Sequence, residues 1–155
     1  MKTLTIILLS FTSLIASAQK RNGLSIIHAP QYAGFGLRYD YRFPGYYQHS
    51  NDWGYYVSAD YGAYKWGRTT SINHLKVSGG IVYYTDSYGS NIQNLFFSGM
   101  NIHTYSGVNN DLGKRATYPV TFDLGTGVVI KKRLQIGFGY DFLKRDANVF
   151  LGWRF

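Results

Sequence analysis

The stretch "AGFGLRYDYRF" (residues 33–43) alternates between two kinds of side chain. From Phe35 to Phe43 every odd-numbered residue is aromatic or leucine, whereas the even-numbered residues are glycine, arginine or aspartate. Successive side chains of an extended strand point to opposite faces. The stretch therefore predicts a β-strand with one broad apolar face and one face of small and charged residues, and what each face contacts decides the fold.

The same period of two recurs along the chain, with Gly, Asn, Asp, Ser and Pro between the alternating segments. A strand at residues 23–29 is also predicted, although its alternation is poor, because a closed up-and-down barrel of a bacterial outer membrane normally has an even number of strands. We therefore predict an all-β fold, an antiparallel up-and-down transmembrane β-barrel of eight strands. The other predicted strands are 33–43, 53–64, 74–85, 92–104, 118–130, 134–142 and 148–155.

The composition supports an all-β chain. Among 155 residues there are 18 Gly and 15 Tyr, and every acidic residue is Asp, so strong helix formers are depleted and strand formers enriched. The absence of cysteine excludes a disulfide framework, thiolate metal sites and a cysteine-linked lipid anchor. After the N-terminal segment no run approaches the roughly 18 apolar residues of a spanning helix. Any membrane contact is therefore expected through strands.

The first 18 residues have the pattern of a secretory signal peptide. Lys2 precedes the apolar run "LTIILLSFTSLIA", which ends in the small-residue site Ala16-Ser17-Ala18. Cleavage after Ala18 is expected, so that residues 19–155 form one outer-membrane barrel domain. The chain is then exported, so nucleic acid is not expected as a partner despite 16 Lys and Arg against 8 acidic residues.

The second face of the strands is too poor in charge for a sheet that meets water. A narrow eight-stranded bore is filled by side chains, and charges inside it must be paired because unpaired charges are costly. A contiguous apolar outer face would make a soluble monomer aggregate, so we expect it to contact lipid. The predicted interior charge network is neutral: Arg38, Arg42, Lys76 and Arg154 against Asp40, Asp60, Asp123 and Asp141.

Aromatic residues gather near the ends of the predicted strands. Girdles of Tyr and Trp at two membrane interfaces would explain this, since such rings are apolar at one end and polar at the other. Cross-strand packing of tyrosines is the alternative explanation. The residues concerned are Tyr46, Tyr47, Trp53, Tyr55, Tyr83, Tyr84, Tyr88, Trp153 and Phe155.

The signal peptide, the strands of about ten residues and the final "NVFLGWRF" together resemble the small outer-membrane β-barrels of the OmpX, Ail and OmpA-transmembrane-domain type. In such proteins a last strand that ends in Phe, with an aromatic residue two positions earlier, is read by the barrel-assembly machinery. The resemblance implies that role for Val149, Leu151, Trp153 and Phe155. It also implies a monomer in the cell outer membrane, in contact with lipid and lipopolysaccharide.

The chain has no nucleotide-binding motif, and its four histidines lie far apart without metal-ligand spacing. We therefore expect no catalytic residue, cofactor or metal, and a structural or surface-interaction (adhesin-like) role. A lipid A-modifying enzyme is one alternative, because lipid A deacylases resemble this chain in architecture and use His, Ser and an acid. His103 and Ser106 could supply the His and the Ser, but their spacing departs from the His-x-Ser of that family, and the chain has no Glu. An Asp could replace the Glu, since palmitoyl-transferring barrels use His, Asp and Ser. A narrow pore and a soluble lipocalin-like carrier, apolar inside and polar outside, are the others.

Basic residues cluster at three predicted turns: 114–115, 131–133 and 144–145. If the C-terminus faces the periplasm and every strand spans, the 144–145 turn and the 105–118 loop lie outside and the 131–133 turn inside. Outer Lys and Arg could neutralise lipopolysaccharide phosphates, or simply be solvated. The same count puts the long connection 44–53 on the periplasmic side, where short turns are expected. Either that turn is unusually long or the first predicted strand is wrong.

Overall fold

Eight strands close into one antiparallel barrel in which each strand pairs with its neighbour in sequence and the last pairs with the first. The computed structural model describes residues 21–43, 52–66, 70–86, 91–106 and 120–155. None of these residues belongs to a helix long and apolar enough to cross a membrane. The strands are β1 (Asn22–Ala29), β2 (Gly34–Arg42), β3 (Asp52–Trp66), β4 (Thr70–Asp86), β5 (Ile92–Ser106), β6 (Val120–Ile130), β7 (Leu134–Asp141) and β8 (Asp146–Arg154).

The seam between β1 and β8 confirms the eight-strand prediction, including the strand at 23–29. Ile26 of β1 lies opposite Leu37 of β2 on one side and opposite Leu151 of β8 on the other. At the end of the seam the Phe155 amide donates to the Asn22 carbonyl (2.8 Å) and the Asn22 amide to the Phe155 carbonyl (3.2 Å). Closure leaves no strand edge along this seam, which is why the chain can end in an apolar alternating segment without fraying.

The barrel has two ends, which we call the terminal end, where Asn22 and Arg154 lie, and the distal end, where Ala29 and Asp141 lie. β2 ends and β3 begins at the terminal end, since the Phe43 amide donates to the Trp53 carbonyl. With β1 established as a strand, the alternative that the first predicted strand is wrong is excluded. Residues 44–51 themselves lie outside the described part of the chain, as do the expected signal peptide (1–18), most of the 105–118 loop and its Lys114 and Arg115.

Three strands are longer than the alternation predicted. β3, β4 and β5 have 15, 17 and 15 residues, against 8 in β1 and in β7. The predicted strands 53–64, 74–85 and 92–104 covered most of each, and the missed residues are mainly at the distal end. At that end polar residues interrupt the alternation of apolar and polar side chains by which a strand is recognised in a sequence, so the strands were predicted too short.

The outer face of the wall is predominantly apolar where the structure describes its side chains. None of the outward-facing strand side chains that the structure describes is Lys, Arg or Asp. Every strand carries large apolar side chains that are at least 42% exposed, the reverse of the polar outer face of a soluble carrier. Examples from successive strands are Ile26, Leu37, Val57, Ile81, Met100, Phe122, Phe138 and Leu151.

The interior contains an apolar cluster that the sequence did not predict. Its members occupy the same alternate strand positions as the inner glycines and charges, and they therefore also point inward. Inner glycines make room for the rings: a Cβ at Gly137 would collide with the Phe150 ring, and one at Gly125 with the Phe97 ring. The cluster comprises Ile27, Tyr56, Val82, Tyr84, Leu95, Phe97, Val129 and Phe150.

Candidate functional site

The interior is the first candidate site, because all eight predicted interior charges lie on inward-facing positions. Seven are at most 3% exposed, and Arg42, near the terminal end, is half-buried. Asp146 is a further buried carboxylate, which sequence reasoning missed because it lay outside the predicted strands. The buried seven are Arg38, Asp40, Asp60, Lys76, Asp123, Asp141 and Arg154.

Arg38 occupies the middle of the bore. Its guanidinium forms an ion pair with Asp40 (2.9 Å) and lies over the rings of Tyr56, Phe97 and Phe150, with 4.1, 4.1 and 4.4 Å to the ring centroids. Such contacts stabilise a cation removed from water. The second Asp40 oxygen accepts a hydrogen bond from the Gln135 amide (2.7 Å). Side chains from opposite walls therefore meet across the bore at this level.

A second ion pair lies closer to the distal end. Lys76 Nζ is 3.4 Å from one Asp60 oxygen, and the Tyr32 hydroxyl donates to the other. Tyr32 comes from a single 3-10 turn (Pro30–Tyr32) that folds over the distal mouth, and it is 1% exposed. Ala33, in the left-handed region at φ 46°, returns the chain to β2. The first turn of the barrel thus covers part of its own mouth.

Asp123 and Asp141 are stabilised differently from the paired charges that the sequence predicted. Among the described residues no Lys or Arg forms an ion pair with either of them. Asp123 accepts a hydrogen bond from the Tyr56 hydroxyl (2.7 Å). Asp141 accepts from the Thr121 hydroxyl and from the Asn101 amide (2.9 Å). At these two carboxylates hydroxyl and amide donors therefore take the place of Lys and Arg.

Two histidines meet beside Asp141. His74 Nε2 and His103 Nδ1 are 2.9 Å apart, with parallel rings, and Tyr105 stacks on His74 at 4.7 Å. The β4–β5 register, which places Lys76 opposite His103 and His74 opposite Tyr105, brings them together. From the sequence it could be inferred only that both histidines face inward, because they occupy inward positions of their strands. Their contact depends on the register of the β4–β5 hairpin, since they are 29 positions apart in the chain.

The geometry of this cluster differs from that of a nucleophilic relay. His103 points inward and is buried, whereas Ser106 lies exposed on the outer face, so this pair does not converge. The Thr121 hydroxyl (2.7 Å) and Asp141 (3.2 Å) both contact the same His103 nitrogen, Nε2. A relay needs the nucleophile on one ring nitrogen and the acid on the other. In the described part of the chain no three His or Asp side chains are arranged to hold a metal ion.

The β7–β8 turn presents Lys144 and Arg145 at the distal end. Asp141 Oδ1 accepts hydrogen bonds from the amides of Leu143 (3.1 Å) and Lys144 (3.0 Å), which fixes the turn. Lys144 Nζ lies 5.2 Å from the centroid of the Tyr105 ring, and Arg145 is exposed with φ 57°. The carboxylate inside the mouth therefore also orders the basic turn outside it.

Outward aromatic residues gather at the terminal end. Tyr41 contacts Tyr55 (5.4 Å between centroids) and Phe43 (5.9 Å), and Trp53 contacts Tyr83 (4.8 Å). The expectation that Tyr84 belongs to a girdle is wrong, because its strand parity points it inward, where the Arg154 guanidinium lies 4.5 Å from its ring centroid. Tyr46, Tyr47 and Tyr88 lie outside the described residues.

The residues of the expected assembly signal lie on the last strand. Val149, Leu151 and Trp153 are exposed on the outer face, at 46%, 55% and 50%, and Phe155 is half-buried at the terminal end. The outward-facing residues of β8 adjoin those of β1, since Leu24 lies opposite Trp153 across the seam.

Comparison with solved structures identifies the architecture. The Yersinia pestis outer membrane protein Ail in a phospholipid bilayer nanodisc superposes with a TM-score of 0.51 at 13% identity, over 86% of this chain and 98% of that one. The outer membrane enzyme PagL (TM-score 0.47, 13% identity, 86% and 96%) and a crystal structure of Ail (0.39, 16%, 86% and 93%) are also similar. No protein-family model and no curated protein matches the chain. The chain therefore has the fold of the small eight-stranded outer-membrane β-barrels.

Proposed function

We propose that this chain is a monomeric barrel of the cell outer membrane with a structural or surface-interaction role and without catalysis. The observation that carries the proposal is a predominantly apolar outer face around a fully closed barrel, on which no described strand side chain is Lys, Arg or Asp. In a bilayer that face meets hydrocarbon, and closure satisfies the backbone groups that lipid cannot. In water the same face would be an aggregation surface.

The packing of the interior favours a role that involves neither conduction through a pore nor catalysis. Arg38 and its three aromatic neighbours fill the middle of the bore, and Tyr32 covers part of the distal mouth. Within the described part of the chain, the hydroxyl, imidazole and carboxylate of Thr121, His103 and Asp141 hydrogen-bond to one another inside the bore. Function is therefore assigned to the outer surfaces and the turns.

Lys144 and Arg145 are the proposed contact with lipopolysaccharide. With the C-terminus in the periplasm, the distal end faces outward and presents this turn in a fixed conformation. Arg and Lys make strong charge-assisted hydrogen bonds to phosphate. At the other end, Val149, Leu151, Trp153 and Phe155 are proposed to contact the barrel-assembly machinery, as in the resembling proteins.

Cell fractionation combined with a heat-shift gel tests the location. We expect the protein in the outer-membrane fraction, with folded barrel migrating differently from boiled protein in detergent electrophoresis. Folded protein recovered from the soluble periplasmic fraction would contradict the proposal.

A charged residue introduced on the outer face provides a second test of the membrane location. Leu37→Lys, on the outer face of β2, is expected to lower the free energy of unfolding in vesicles by about 2–4 kcal/mol if the site lies near the bilayer midplane. In a water-soluble barrel an exposed lysine would change it by less than about 0.5 kcal/mol. Urea titration of the two proteins in vesicles measures the difference.

Mass spectrometry of lipid A tests the enzyme alternative. We expect the lipid A of cells with the protein to match that of cells without it, because His103 and Ser106 lie on opposite faces of the wall. Loss or gain of one acyl chain in the presence of the protein, abolished by His103→Ala, would instead establish acyl chemistry and overturn the non-catalytic role.

A further inference from the structure

The β6–β7 turn at the terminal end has a backbone that its sequence does not favour. Lys131 and Lys132 occupy its two central positions with φ 50° and 57°, and the Arg133 amide donates to the Ile130 carbonyl (3.0 Å). Positive φ at both central positions favours Asn-Gly, because a Cβ is disfavoured there. A sequence that departs from local preference at one site often does so for function.

The three consecutive basic side chains of this turn are exposed. Within the described residues none of them forms an ion pair, in contrast to Arg38 and Lys76 inside the bore. The Lys131 amide also donates to the Asn91 carbonyl (2.5 Å), which ties the turn to the start of β5. The turn therefore holds a compact group of positive charges in a fixed place.

The turn lies directly beyond the apolar wall. Ile92, Ile130, Leu134 and Trp153 are consecutive partners across β5, β6, β7 and β8, and all four point outward. The Arg154 amide donates to the Arg133 carbonyl (2.7 Å), so the turn adjoins the Trp153 segment. Wherever this row contacts hydrocarbon, Lys131, Lys132 and Arg133 are at the level of the lipid headgroups, which basic side chains with long apolar stems reach readily.

We propose that Lys131, Lys132 and Arg133, the basic turn, bind the phosphate of anionic phospholipids in the leaflet at the terminal end. The inference rests on the proposed membrane location and adds a lipid class and a leaflet to it. The continuity of the turn with the lipid-facing row favours a membrane lipid over a soluble anionic partner. Each basic side chain near an anionic surface contributes about a fivefold preference at physiological salt.

Quenching of Trp153 fluorescence by brominated lipids tests the proposal. Trp53→Phe and Trp66→Phe leave Trp153 as the one tryptophan, next to the basic turn. The barrel is reconstituted in phosphatidylcholine vesicles that contain brominated phosphatidylglycerol or brominated phosphatidylcholine. We expect a relative binding constant for phosphatidylglycerol of about five or more at low salt, falling as salt rises.

Variants of the turn separate charge from backbone. Lys131→Asn/Lys132→Gly/Arg133→Gln removes the three charges, introduces the Asn-Gly pair that this backbone favours, and is expected to bring the relative binding constant close to one. Lys131→Arg/Lys132→Arg keeps the charge and is expected to retain the preference. A preference that persists in the uncharged variant, or is absent from the unaltered turn, overturns the proposal. If brominated phosphatidylcholine fails to quench Trp153 at all, the membrane location itself is wrong.

Discussion

Gly152→Ala is expected to destabilise the closed barrel by about 2–3 kcal/mol. Gly152 lies opposite Ser25 in the β8–β1 seam, and a Cβ there would collide with the Ser25 hydroxyl and the Leu24 carbonyl and come within 2.5 Å of the Ser25 Cα. Since two of these are backbone atoms, the strands must separate to admit the methyl group. The midpoint of urea unfolding in vesicles, followed by tryptophan fluorescence, measures the loss.

Gly79→Ala is the matched control. Gly79 is also a strand glycine, but it faces outward, and the nearest atoms to an added Cβ are 3.7 and 3.9 Å away. We expect its free energy of unfolding to stay within about 0.5 kcal/mol of the unaltered protein. Equal losses for the two variants would contradict the seam register, because they would reflect glycine replacement in general and not a collision at Ser25.

Asp40→Asn is expected to lower the free energy of unfolding by about 3 kcal/mol. The substitution keeps the shape of the side chain and removes its charge, so the Arg38 guanidinium, 2% exposed, loses its carboxylate partner. The three rings around Arg38 remain, but they attract a cation more weakly than a carboxylate does. Urea unfolding in vesicles again provides the measurement.

The double variant Arg38→Met/Asp40→Asn shows whether the loss comes from the unpaired cation. Methionine places an apolar chain between the rings of Tyr56, Phe97 and Phe150, and no buried charge is left there. We therefore expect the double variant to be more stable than Asp40→Asn alone, since replacing both members of a buried ion pair is often nearly neutral. A double variant less stable than Asp40→Asn would contradict this account of the interior.

The strand pattern was readable because a period of two is a local property. Each residue from Phe35 to Phe43 takes its face from its neighbours, so the alternation located seven strands. β1 depended on a different argument, the need for an even number, and its apolar Ile27 faces inward, which explains its poor alternation. Tyr84 was misassigned for the related reason that an aromatic residue near a strand end fits either face.

The pairing of the interior charges was only partly predictable. Arg38 and Asp40 are two residues apart on one strand, so their contact follows from parity. Lys76 and Asp60 are directly opposite in the β3–β4 register, which the sequence does not state. Asp141 accepts from Thr121 on the neighbouring strand β6 and from Asn101 on β5, two strands away, and no local pattern could have revealed those donors.

In the clearly alternating segments the sequence by itself determined which residues face outward and which face inward, and with them the barrel class, because each side chain takes its face from its position in the strand. The tertiary structure decided which inner residues meet: the His74–His103 contact, the aromatic surroundings of Arg38 and the position of the basic turn below Trp153. These contacts depend on strand register and on closure of the wall. Both are properties of all eight strands together.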